Sequence, residues 1–319
     1  MQITTLPTPP SDADVAAWHR TVTAAQSHDL PPGVPAQGPV ETAGRLRTAS
    51  VHGRSTHRVA GEFDGVASVL LSEAEGNEHT AFLDVLTVRP EARRRGVGAA
   101  LWQDVRAELV ASGRSAVSVM VEVDGPGEVF ARAQGFEMVL PLAWYVQDVT
   151  APSPAPQLPD GYRLVAWSGV VPDAYAESSA VAHEAMEDAP TGDVEEQAPT
   201  WTADQVRAAV QIVLDRGGRM LTVAALDAEG AMAAYTEVVL RDPADARALQ
   251  YDTVVVPAHR GKGLGRAVKL RMLEEVRRAE PGVRAIGTTV ADENGPMLVV
   301  NEGLGYVRER GLAVYQAKL

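Results

Sequence analysis

The chain has 319 residues, a formal net charge of -13 at pH 7, 45% hydrophobic residues and only 5% aromatic ones. That length suits about two domains, with cores built on Val, Leu and Ala rather than on rings. The acidic balance argues against general nucleic-acid binding and against adhesion to anionic membranes, and favours a cationic partner such as an amine; the lack of cysteine excludes disulfides, thiolate metal sites and a cysteine nucleophile. The opening Met-Gln-Ile-Thr-Thr has neither a basic stretch nor an apolar core, and no run approaches the roughly 18 apolar residues that span a bilayer. A cytoplasmic protein is expected.

In chain order, residues 12–29 read as a helix with Ser11 or Asp12 at its N-cap and Val15, Trp18, Val22 and Ala25 on one face. The proline-rich stretch 31–39 reads as an exposed loop. Strands follow at 56–60, 66–72 and 81–88, then a helix to about Ala111 with Leu101, Val105 and Leu109 at four-residue spacing. A strand at 116–123, a short helix ending at Gly135-Phe136 and a strand at 138–147 close the first half. Alternating prolines at 151–159 form the clearest linker, an extended spacer. The domains are therefore placed at 1–150 and 161–319, joined by 151–160.

The second half repeats the plan, with strands at 162–167, 220–226, 231–240, 249–256 and 283–290. Helices are expected at 172–186 and 202–215, after the second glycine loop, and just before Gly305-Tyr306. A closing strand runs through Tyr315. Strands come first and each glycine loop sits mid-domain, so the sheet is not a regular doubly wound one.

Two stretches carry chemistry. Thr253-Val254-Val255-Val256 runs into His259-Arg260-Gly261-Lys262-Gly263-Leu264-Gly265-Arg266 and then a helical pattern. Val85-Leu86-Thr87-Val88 runs into Arg93-Arg94-Arg95-Gly96-Val97-Gly98-Ala99 and a second helical pattern, with Pro90 and Pro257 each three positions before the leading arginine. A strand, glycines and a helix in close succession aim several backbone N–H groups at one small space at the positive end of a helix dipole. That is a receptacle for a phosphate or pyrophosphate, with Arg260 and Lys262 adding charge, and its recurrence marks an internal duplication. No Gly-x-x-x-x-Gly-Lys-Ser/Thr run exists, and a dinucleotide fingerprint would need glycine where Arg266 stands.

Arg93, Gly96 and Gly98, and again Arg260, Gly263 and Gly265, fit Arg/Gln-x-x-Gly-x-Gly/Ala. The chain thus resembles the GCN5-related N-acetyltransferases (GNAT), as a tandem member of actinobacterial type. The resemblance implies two domains of mixed α/β fold, each a mainly antiparallel sheet with helices on both faces and the cofactor where two parallel strands splay apart. It implies acetyl-CoA, or another short acyl-CoA, as cosubstrate and no metal. The acyl-CoA would be held by Val254 to Val256, Arg260 to Arg266 and Asn294. In the first half the corresponding residues are Val88, Arg93, Arg94 and Gly96 to Ala99.

The family's Asn-x-x-Ala-x-x-Leu-Tyr-x-x-x-Gly-Phe places a tyrosine at the leaving thiolate. Here Asn294 keeps the asparagine and Asn301 stands for the tyrosine, whereas the first half has Asp124 and Ala131. An asparagine amide can hydrogen-bond sulfur and alanine cannot, so the C-terminal half is expected to be the catalytic one. Glu237 and Asp252 are candidate general bases. Asp84 lies one position out of register with Asp252, so period-two alternation aims it at the opposite face. His183 reads either as a base or as an ordinary helix residue, and His259 as an aid to the loop. Glu184, Glu187 and Asp188, in an acidic connection that also holds Asp193, Glu195 and Glu196, are candidates for binding a cationic acceptor. The expectation is acetyl transfer to a small-molecule amine by direct attack. A silent acyl-CoA-binding module and a protein or peptide N-acetyltransferase are the alternatives.

Overall fold

The computed structural model describes residues 1–51, 53–198 and 200–319. The chain forms two compact units. The first holds Met1–Pro141, Thr191–Gln197 and Gly311–Leu319, the second Leu142–Pro190 and Ala198–Arg310. The described residues form eight α-helices and twelve strands, a mixed α/β fold.

In the first unit β1 (Ile3–Thr5), β2 (Gly53–Ala60), β3 (Gly65–Ser72) and β4 (Thr80–Val88) pair antiparallel in sequence order. β4 then runs parallel to β5 (Ala116–Glu122). Helix α3 (Val97–Ala111) lays Val97, Leu101, Val105 and Leu109 on one sheet face, against Ala67, Val69, Leu83 and Val117. The other face is covered by α1 (Asp12–Asp29), whose Trp18 and Val22 join Leu46, Val59 and Val66. Ser11 starts α1 through a capping box with Asp14. The loop expected at 31–39 ends one residue earlier, because Pro39 opens α2 (Pro39–Arg47). That helix buries Thr42, Gly44 and Leu46, one large apolar residue in nine, and so leaves little periodicity to read. The short helix α4 (Pro126–Ala133) follows β5.

The second unit repeats this with β7 (Arg163–Ser168), β8 (Arg219–Leu226), β9 (Met232–Leu240) and β10 (Arg247–Val255) in antiparallel order, and β10 parallel to β11 (Ala285–Ala291). Helix α7 (Leu264–Ala279) packs Leu264, Val268, Met272 and Val276 on the face that carries Ala234 and Val238. α5 (Asp173–Glu184) lies on the opposite face with Tyr235 and Val254, and α6 (Ala203–Asp215) packs beside it. Thr202 caps α6 in a box with Gln205. The short α8 (Gly295–Glu302) follows β11.

The closing strands depart from the sequence reading, which had each half finish its own sheet. β6 (Glu137–Asp148) gives residues 142–148 to β11, and β12 (Tyr306–Lys318) gives residues 312–318 to β5. Each unit therefore ends on a strand from the other half of the sequence. Alternation specifies which face of a strand is buried but not its neighbour. Residues 151–159 form neither helix nor strand. They begin in the second unit, where the Arg277 guanidinium holds the Val149 carbonyl at 2.7 Å, Ser153 Oγ at 2.8 Å and the Ala151 carbonyl.

Two irregularities position the site. Each parallel pairing covers only three residues, Thr80 to Phe82 with Ala116 to Ser118 and Arg247 to Leu249 with Ala285 to Gly287, so the strands are unpaired beyond. Each strand before a loop also carries a bulge, where β4 shifts register against Ser68/Val69 and β10 shifts between Gln250 and Thr253.

Candidate active site

Both glycine loops are open helix N-termini. Gly263, with φ 77°, is the N-cap of α7, and Gly96, with φ 81°, is that of α3; neither helix has a side-chain cap. The left-handed backbone there favours glycine. The first intrahelical bond of α7 runs from Ala267 N–H to Gly263 O at 3.1 Å, which leaves the amides of Leu264, Gly265 and Arg266 without a partner in the helix. An added Cβ at Gly265 would touch Val255 at 3.4 Å, and one at Gly98 would touch Phe130 at 3.4 Å. One of the differences between the loops bears on the backbone: Gly261 has φ 76°, whereas Arg94 takes φ 61° with a full side chain, a strain of about 1–2 kcal/mol.

The loop arginines are fastened to the protein. Arg260 Nε donates to Val255 O at 3.1 Å and its Nη2 to Asp188 at 2.6 Å. Arg93 Nε donates to Val88 O at 3.0 Å and its two terminal nitrogens to Asp29 at 2.7 Å each. The charge expected of Arg260 is thus met by Asp188, and the guanidinium ties the loop to its strand. Lys262 Nζ donates to Tyr162 Oη at 2.8 Å, and that hydroxyl lies 2.8 Å from His259 Nδ1. His259 belongs to the loop's support. Arg266 donates to Gly303 O at 2.8 Å and joins the start of α7 to the end of α8.

Val254, Val255 and Val256 divide by direction. The Val256 amide donates to Ala233 O at 2.9 Å, on the β9 side. By the alternation of an antiparallel ladder Val254 turns the same way and Val255 faces the unpaired edge. Val88 occupies the Val255 position in the first unit, paired with Gly65 as Val255 is with Ala234.

At the bulge Glu237, Asp252 and His183 offer ligand atoms that all lie within 4.8 Å of one another. Glu237 and His183 are buried at 5% exposure each. Burial, and then the Asp252 charge, hold the Glu237 carboxyl well above its usual range, with a Thr222 hydrogen bond pulling the other way. Burial pushes Asp252 up to about 6. The two titrate as a pair. His183 Nδ1 lies 2.7 Å from Ser179 O, which can only accept, so the proton sits on Nδ1 and Nε2 presents its lone pair 3.9 Å from Glu237. Burial lowers the His183 pKa. Tyr235 stacks on His183 with ring centroids 4.4 Å apart, and its buried hydroxyl has no partner among the described residues. The three ligand atoms could also receive a divalent cation, but carboxyls this strongly biased toward protonation suit proton transfer first.

The structure brings Glu237, Asp252 and His183 together, and period two on β9 would have found Tyr235, two positions before Glu237. Among the described residues the first unit has no such pair. Counting from the paired starts Thr80 and Arg247, Val85 replaces Asp252, and the strand pairing puts Ser68 at the Glu237 position. Asp84 is exposed and bound to Arg45 of α2 at 3.0 Å; it is the bulged residue of β4, so period two fails there and Asp84 lies on the α1/α2 side with Val85 rather than on the opposite face.

Asn294 is the N-cap of α8, accepting from the Met297 amide at 3.2 Å. Asn301 is 1% exposed, and neither its Oδ1 nor its Nδ2 has a partner among the described residues. A buried amide with both ends unbonded awaits a ligand or water. Of the acceptor candidates, Glu184 ends α5 and Glu187 and Asp188 lie in the turn after it, all exposed. Only Asp188 is engaged by the loop. Asp193, Glu195 and Glu196 belong to the first unit instead. There Glu195 N–H donates to Gln316 at 3.0 Å.

Comparison with known proteins agrees with this fold. The acetyltransferase (GNAT) family model matches residues 39–136 and 180–306. The mycothiol acetyltransferase of Salinispora tropica is 28% identical, over 96% of this chain and 93% of that protein. A tandem GNAT protein from the clavulanic acid biosynthesis pathway superposes with a TM-score of 0.83 at 28% identity, covering 99% of this chain and 98% of that one. A GCN5-related N-acetyltransferase from Sphaerobacter thermophilus shares the fold, with a TM-score of 0.68 at 17% identity over 99% and 95% of the two chains. No helix of the described residues is long and apolar enough to cross a membrane.

Proposed function

The chain belongs to the acetyltransferase (GNAT) family, and on that premise we propose that its C-terminal half moves an acyl group from acyl-CoA to the amine of a small molecule, the N-terminal half being non-catalytic. The observation that carries this reading is the pairing of buried Glu237 with half-buried Asp252 at the bulge of β10, on the strand that feeds the open α7 N-terminus. The first unit keeps the loop but has Ser68 and Val85 in place of the pair.

The amides of Leu264, Gly265 and Arg266 would take the pyrophosphate. The pantetheine arm would run along the unpaired edge of β10, held by the outward-turned Val255 amide, and bring its thioester to the bulge between Gln250 and Thr253. The amine nitrogen attacks the thioester carbon, the C–N bond forms and the C–S bond breaks. The ammonium proton passes to Asp252, directly or through a water. The leaving thiolate accepts a hydrogen bond from the Asn301 amide and takes its proton from solvent, since an amide has none to give. A small acceptor is in keeping with the mycothiol acetyltransferase relative.

CoA release from acetyl-CoA over a broad amine panel tests this. Turnover lost in Gly263→Val and Asp252→Asn but kept in Gly96→Val is the expected result. Acetyl-CoA binding without turnover on any amine would favour a silent acyl-CoA module, a reading that Asn301 in place of a protonable tyrosine supports. No binding at all would end both.

A further inference from the structure

The duplication allows each polar residue in the core of the second unit to be compared with its counterpart in the first. Gln250 and Thr253 lie three and six residues beyond Arg247, as Leu83 and Leu86 lie beyond Thr80. Thr236 pairs with Thr253 as Ala67 pairs with Leu86. Thr288 lies three beyond Ala285, as Val119 lies beyond Ala116. Lys269 follows the left-handed Gly263 by six, as Trp102 follows Gly96. Asn301 and Tyr306 flank Gly305 as Ala131 and Phe136 flank Gly135. All the first-unit residues belong to one apolar cluster. All the second-unit residues are polar.

Five of the polar set, Tyr306, Thr236, Thr253, Thr288 and Gln250 itself, are bonded into one piece around Gln250. Tyr306 Oη donates to Gln250 Oε1 at 2.7 Å, Gln250 Nε2 donates to Thr236, and Thr236 and Thr253 hydroxyls are 2.7 Å apart. Thr288 Oγ1 donates to Gln250 O at 3.3 Å, at the point where β10 and β11 stop pairing. Lys269 is 5% exposed, with its ammonium 4.7 Å from the centre of the Tyr306 ring and no carboxylate in ion-pair reach among the described residues. Asn301 adds its two unbonded polar atoms. The first unit shows that the fold packs well without any of these groups. A buried cation without an anion and a buried amide without partners both destabilise a core, so a bound group that satisfies them is the economical explanation.

The place fits the acyl end of the thioester. From Val255, beside the pyrophosphate loop, back to Gln250 the strand covers about 16 Å at about 3.3 Å per residue, a run that an extended pantetheine arm spans. Glu237 belongs to the opposite face of the sheet, with Tyr235 and α5. Resting on the acyl-CoA reading above, we propose that the C-terminal half takes an acyl group bearing a terminal carboxylate, seated among Lys269, Tyr306, Gln250 and Asn301, while the amine approaches from the Glu237 side. Lys269 supplies the counter-charge and the Asn301 amide a donor. The apolar counterpart in the first unit, with Trp102 in place of Lys269, has no cation to meet a carboxylate.

Burial alone pulls Lys269 down to about 7, and Tyr306, the titratable ring against it, is kept protonated by burial. A carboxylate arriving there draws a proton onto the amine. Calorimetry of the full chain at pH 8 with acetyl-, malonyl- and succinyl-CoA reads this directly. One of the two carboxylated thioesters should bind at least tenfold tighter than acetyl-CoA, with proton uptake seen as a dependence of heat on the buffer's ionisation enthalpy. Lys269→Met should abolish both the preference and the uptake, leave acetyl-CoA binding unchanged, and melt no lower than the parent. Tyr306→Phe should weaken the preference while removing only one oxygen. Equal binding of the three thioesters, or a preference that survives in Lys269→Met, overturns the proposal. Binding of none overturns the acyl-CoA reading with it.

Discussion

Asp252 stands beside Glu237 at the bulge of β10, their carboxylate oxygens within 4.8 Å, and burial holds both acids above their usual range. Acting as base, the pair must lose a proton before the amine can give one up. The rate should therefore climb with pH through an acid limb with an apparent pKa of about 6, a property of the pair. Asp252→Asn should remove that limb and lower kcat by about 10²–10⁴-fold. A pH–rate profile of both proteins checks it.

The same shift makes a stability statement of definite sign. The folded-state pKa of Asp252, about 6, lies above the ordinary 3.8, so the folded chain keeps a proton that the unfolded chain releases. The stability this contributes is present below pH 4 and is lost as pH rises through 6. Asp252→Asn, which cannot ionise, should gain in melting temperature relative to the parent more at pH 8 than at pH 4. Thermal melts at the two pH values decide it.

Asn301 is buried with both amide atoms unbonded, and the first unit has Ala131 in its place. Asn301→Ala should stabilise the free protein by about 1–3 kcal/mol, the cost of an unsatisfied buried group. It should lower kcat about tenfold as the leaving sulfur loses its donor. A variant that is no more stable than the parent, yet equally active, would remove Asn301 from the site.

Asp188 meets Arg260 at 2.6 Å, so its removal should loosen the loop rather than the acceptor site. Asp188→Ala should raise KM for acyl-CoA several-fold with KM for the amine unchanged. Glu187→Ala, with no bond to the loop, serves as the comparison. The reverse pattern would return Asp188 to the acceptor wall.

Gly287 on β11 has the Trp144 ring where a Cβ would fall, 2.5 Å away, and Arg310 lies 4.7 Å above the same ring. Gly287→Ala should destabilise the second unit by about 1–3 kcal/mol, the usual effect of forcing an atom into a packed site. Denaturant unfolding followed by tryptophan fluorescence measures it.

The loops were legible in the sequence because their chemistry is local. A β-branched strand, glycines at fixed offsets and a helix dictate left-handed caps at Gly96 and Gly263 from a dozen consecutive residues. Residues whose roles depend on distant partners were not legible in this way. His183 lies on a helix 54 positions before Glu237 in the numbering, and nothing local ties the two. Lys269 and Tyr306 look like ordinary positions on a helix and after a glycine until their counterparts, Trp102 and Phe136, show that the core has no need of polarity there. The closing strands exchanged owners because hydrophobic alternation fixes a face and leaves the partner free. Short-range backbone geometry was thus set by the amino-acid order. The gathering of buried charges, and the choice of neighbour at each sheet's end, came only with tertiary packing, where desolvation and cross-strand fit act between residues far apart in the chain.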